Sequence, residues 1–86
     1  MKTLTKNMVQ KIAENLMNQH HFTTTLDVKT ALRAADFFAK QAEVSIFMDE
    51  LATELDWDFT ENGVFRTYNI KQNINQDLLQ LLFSNN

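Results

Sequence analysis

Three pairs of residues carry the side chains that catalysis or metal binding would need: His20 and His21 are adjacent, Asp49 and Glu50 are adjacent, and Asp56 and Asp58 flank Trp57. A zinc-type centre needs several ligands converging on one point, whereas neighbouring histidines point in different directions on a helix or a strand. The chain has no cysteine and no carboxylate cluster beside the imidazoles. They fit better as the end of a first helix, where partial positive charge suits the C-terminal dipole. Paired carboxylates do acid–base work only in a pocket that shifts their pKa values, and a single small core leaves little room for such a cleft. No Ser/His/Asp set, phosphate-cradling glycine loop or nucleotide fingerprint is present. The residues therefore predict a protein that is not an enzyme and uses no cofactor or metal.

The elements that would position any functional residue must come from one small domain. Eighty-six residues, 44% hydrophobic and 22% charged, with seven Phe and one Trp, have the composition of a folded globule. Residues 1–72 are expected to form the domain and 73–86 a short apolar helix with a frayed end. No apolar run approaches the roughly 18 residues of a membrane span, and no signal-peptide pattern opens the chain. The absence of Cys fits a cytoplasmic protein.

Leu4, Met8, Val9, Ile12, Leu16 and Met17 form one apolar stripe on a helix over residues 3–19. "HHFTTT" (His20 to Thr25) then predicts an extended turn or very short strand. Thr24 or Thr25 caps a second helix with Asp27 in its first turn and Val28, Leu32 and Ala35 facing inward. "ADFFAK" (Ala35 to Lys40) breaks the period, and a third helix runs from Gln41 to Leu55. Its expected buried face is Val44, Phe47, Met48, Leu51 and Leu55, an arc of about 100°.

"DWDFTENGVFRTYNI" (Asp56 to Ile70) reads as two strands folded back at Asn62-Gly63, the position of the sole glycine. A two-residue turn pairs Phe59 with Arg66 and Trp57 with Tyr68, and places Trp57, Phe59, Val64, Tyr68 and Ile70 on one face. A three-residue loop pairs Phe59 with Phe65 but splits the apolar residues between faces, so a half-buried sheet favours the two-residue turn.

The resulting order is helix, short extended segment, helix, turn, helix, hairpin, helix: an α+β class. In element order and apolar pattern, Leu4 to Ile70 resembles the winged helix-turn-helix superfamily, with "TTTLDVKTALR" as second helix, "QAEVSIFMDELATEL" as third and "DWDFTENGVFRTYNI" as wing. The resemblance implies a regulatory protein that binds double-stranded DNA, as a monomer or a homodimer, with the third helix in the major groove. Gln41 and Ser45 would then bond to bases, and Lys40, Arg66, Lys29 and Arg33 would meet phosphates.

Charge placement opposes that expectation. Residues 1–42 balance at +3, whereas residues 43–61 hold seven carboxylates and no cation, within a total of −3. This acidic block covers most of the third helix and the start of the wing, where phosphates would have to be met. Ile46 lies on the polar side of the third helix, and Phe65 on the polar face of the hairpin. "DLLQLLF", with Leu79 and Leu82, is apolar on nearly every face of a two-turn helix. The alternative expectation is an adaptor or inhibitor that binds a protein partner, or a second copy, through Ile46, Asp49, Glu50, Phe65, Leu79 and Leu82. Arg66 separates the two: free for a phosphate in the first, paired with Glu61 or stacked on Phe59 in the second.

Overall fold

The computed structural model describes residues 1–61, Gly63 and residues 65–70, in the order β1 (Lys2–Thr3), α1 (Lys6–His20), β2 (Thr23–Thr24), α2 (Thr25–Ala34), β3 (Phe37–Phe38), α3 (Gln41–Glu54), β4 (Asp58–Glu61) and β5 (Arg66–Asn69). This is a small α+β architecture of three helices and a few short strands. The expected terminal helix, with Leu79 and Leu82, lies outside the described residues. No helix among the described residues is long and apolar enough to cross a membrane.

Local chemistry sets the helix boundaries. Thr5 Oγ1 accepts from the Met8 N–H at 3.2 Å and starts α1. Thr24 Oγ1 does the same for the Asp27 N–H at 3.1 Å, so Thr24 caps α2 and Asp27 sits in its first turn. The helix ends use left-handed residues that are not glycine: His21 (φ 73°), Asp36 (φ 68°) and Asp56 (φ 57°). After α3, the Trp57 N–H reaches back to the Ala52 carbonyl at 2.9 Å across Asp56, closing the helix with satisfied carbonyls.

All three helices pack on one another. Val9, Ala13 and Met17 from α1, Val28 and Leu32 from α2, and Val44, Met48, Leu51 and Ala52 from α3 fill the core. Trp57 and Tyr68 close it from the hairpin side. Three expected inward residues differ: Ala35 is exposed at the end of α2, Leu55 is 41% exposed because the chain leaves the helix there for Asp56, and Phe59 of the hairpin's apolar face is 53% exposed beneath the Arg66 guanidinium. Ala52 takes the place expected of Leu55.

"ADFFAK" is more than a turn. β3 pairs parallel with β1, the Lys2 N–H bonds to the Asp36 carbonyl at 2.8 Å, and Arg33 Nε donates to the Ala39 carbonyl at 2.9 Å. The second sheet has the order β2-β5-β4, so the segment between α1 and α2 is stitched to the hairpin through Thr23↔Tyr68 and Thr24↔Thr67.

The hairpin register corrects both expected pairings: Glu61 faces Arg66, Phe59 faces Tyr68 and Asp58 faces Asn69, so the connection spans Glu61 to Arg66. This is a slip of two from the expected two-residue turn, and with a side-chain period of two the paired residues keep their expected faces. Phe59, Tyr68 and Arg66 still share a face, and Phe65 leaves the ladder for the connection.

Candidate functional site

The polar centre of the molecule lies where α3 meets the hairpin. Asp49, in the middle of α3, accepts on Oδ1 from both Tyr68 Oη and Arg66 Nη1, each at 2.7 Å. Glu61 Oε1, at the end of β4, accepts from Arg66 Nε at 3.1 Å and also from Nη2. The guanidinium lies over the Phe59 ring, 4.6 Å from its centroid. The register makes this cluster: Glu61 is the cross-strand partner of Arg66, Phe59 that of Tyr68, and Tyr68 is two residues from Arg66 on the same face. The Glu61 contact raises the Arg66 pKa still further, so the side chain stays charged. Burial, reinforced by the bond to Asp49, pushes the Tyr68 phenol up to about 12.

Above this cluster opens a groove of about 1030 Å³. Its floor is the α3 ridge of Gln41, Ala42, Ser45 and Asp49; one wall is Phe22 with the first turn of α2, and the other is Glu61, Gly63, Phe65 and Arg66. Phe22, Leu26 and Phe65, at 50%, 53% and 54% exposure, bring three large apolar side chains to one concave surface. Single exposed hydrophobes are ordinary, but three lining one concavity mark a contact surface.

Of the residues expected to meet DNA, Gln41, Ser45 and Arg66 converge in this groove, and Lys29 reaches it through a 3.4 Å contact from Nζ to Gln41 Oε1. Lys40 lies outside the lining, its Nζ 5.5 Å from the centroid of the Phe38 ring, and Arg33 braces the α2–α3 connection. Of the residues expected to meet a protein, Asp49 and Phe65 line the groove. Ile46, 60% exposed, is on the solvent-facing side of α3 outside the lining, and Glu50 faces α1, with Lys6 Nζ 3.5 Å away. Phe22 and Leu26 were missed. Leu26 had a signal: on the helical wheel of α2 it lies about 160° from buried Val28, the same displacement that singled out Ile46.

Of the chemistry-bearing pairs only Asp49 lines this groove; His20, His21, Glu50, Asp56 and Asp58 lie outside its lining. His20 ends α1, His21 and Asp56 take left-handed backbone conformations, and among the described residues no group of three or more His, Asp or Glu could hold a metal ion.

Comparison with protein-family models, characterised proteins and solved structures finds no match to this chain. Function has to be read from the groove itself.

Proposed function

We propose that this chain is a small, non-enzymatic module of winged-helix-like design that binds another protein through the groove between α2, α3 and the β4–β5 hairpin. Support for the design comes from the strand between α1 and α2, which pairs with β5 and so joins the hairpin to the helices in the order β2-β5-β4.

The observation that carries the ligand class is the state of Arg66. A phosphate-binding cation has to be presented to the duplex. Arg66 is held by Asp49 and Glu61 and stacked on Phe59, in a groove whose other charged lining residue is Asp27. Three carboxylates against one cation would repel a phosphate backbone, while Phe22, Leu26 and Phe65 offer apolar area that DNA would leave uncovered. Double-stranded DNA is the second reading, favoured by Lys29 and Lys40 beside Gln41 at the start of α3.

The test is fluorescence anisotropy of a labelled generic duplex titrated with the full chain over a low-to-moderate salt series. The expected result is no binding at any salt. A salt-sensitive isotherm, with affinity falling as salt rises, would overturn the protein-binding reading in favour of DNA.

A further inference from the structure

Three classes of side chain meet in the groove, and each restricts what can fill it. The floor presents Ala42 and Ser45, small residues three apart on one ridge of α3. Such a ridge lets a second helix approach closely, since the distance between helix axes is set by the side chains at the contact. The walls present Phe22 and Leu26 on one side and Phe65 on the other, matching the anchors that an apolar stripe at i, i+3/i+4 and i+7 supplies. The charges are Asp27, Asp49 and Glu61, with Arg66 already engaged by two of them. The lining thus carries an excess of two carboxylates.

Building on the protein-binding reading above, we propose that the occupant is an amphipathic helix of a partner protein, its apolar stripe flanked by Lys or Arg. Charge complementarity selects this occupant over the two others the chain could supply. Residues 71–86 hold one Lys and one Asp, Lys71 and Asp77, and offer no net positive charge to the acidic lining. A second copy would have to bring its basic N-terminal half to the acidic groove. Such a copy carries a net charge of −3 as a whole, so its approach to the acidic groove is opposed by its own charge.

The test uses the full chain and two synthetic peptides of about 16 residues sharing one Leu stripe, with Lys at the flanking positions of one and Glu in the other, followed by anisotropy. The Lys peptide is expected to bind at least about tenfold more tightly than the Glu peptide. Leu26→Ser and Phe65→Ser should each weaken it at least about fivefold. Phe38→Ser, which alters an equally exposed side chain outside the groove, should leave it unchanged.

Equal affinities for the two peptides, with the groove variants still weakening both, would overturn the basic-helix inference and leave the protein-binding reading standing. Equal losses in Leu26→Ser, Phe65→Ser and Phe38→Ser, or no binding of either peptide, would overturn the inference; the first result would overturn the groove reading too. A tenfold gain in Lys-peptide affinity in the Leu79→Ser/Leu82→Ser double variant would identify the chain's own terminal segment as occupant. A dimer in sedimentation that Phe65→Ser abolishes would identify a second copy. Either would overturn the proposal.

Discussion

The phenol of Tyr68 donates to Asp49 while its ring, 1% exposed, packs edge-on to Trp57, so one side chain joins the hairpin to both the core and α3. Burial first, and the Asp49 bond second, raise its pKa from 10.0 to about 12. The neutral phenol is therefore favoured in the folded state. The stabilisation is complete below pH 10 and is lost as the pH rises through about 12, because the unfolded chain releases this proton first. Lys6, raised chiefly by its bond to Glu54, also loses stabilising charge at alkaline pH, so the comparison has to be made against a variant. Tyr68→Phe should cost about 1–2 kcal/mol near neutrality through the lost hydrogen bond to a carboxylate. Between pH 8 and pH 11.5 its urea midpoint should fall less than that of the parent protein. Equal falls would show that Tyr68 is not the group responsible.

At the scale of elements, the helix ends carry a cost. Three of them turn through left-handed backbone without glycine, and Asp36 and Asp56 tolerate this better than His21 because a short acidic side chain can bond locally. His21→Gly should therefore raise stability by about 0.5–1 kcal/mol, the left-handed penalty removed less the chain entropy glycine adds when unfolded. A lower thermal midpoint would mean that the exposed imidazole contributes more than its backbone costs. These ends also show what the sequence hid. Periodicity made the three helices legible, and threonine chemistry located the start of α2, but aspartate and histidine are weak signals for left-handed backbone. The hairpin faces were legible and its register was not, because a slip of two preserves the alternation and Asn62-Gly63 spoke for the shorter turn. Of the groove, α3's floor and Phe65 could be read from amphipathic patterns. Phe22 sits in a segment too short to have a period, so only the packing of β2 against β5 shows where it goes.

For the whole molecule, the basic half and the acidic block are contiguous in sequence but do not simply cancel in space. Lys6 crosses to Glu50 and Glu54, and Arg66 to Asp49 and Glu61, so the pairing is concentrated on α3. The groove keeps its excess of carboxylates after that pairing. If this excess is what keeps the groove from DNA, then removing charge while preserving shape should create affinity. Asp27→Asn, Asp49→Asn and Glu61→Gln together change the formal charge from −3 to zero. Asn at position 49 keeps an acceptor for the Tyr68 hydroxyl, and Gln at position 61 keeps the length of the side chain beside Arg66, so circular dichroism should report an intact fold. In the triple variant Arg66 is no longer neutralised and stands in one groove with Gln41, which Lys29 touches. Generic duplex should then bind weakly at low salt, with log affinity falling against log salt by about 0.9 for each phosphate engaged. The parent protein should remain flat under the same conditions. A folded triple variant that also stays flat would mean that the shape of the groove, with its Phe22, Leu26 and Phe65 walls, excludes the duplex without help from its charge.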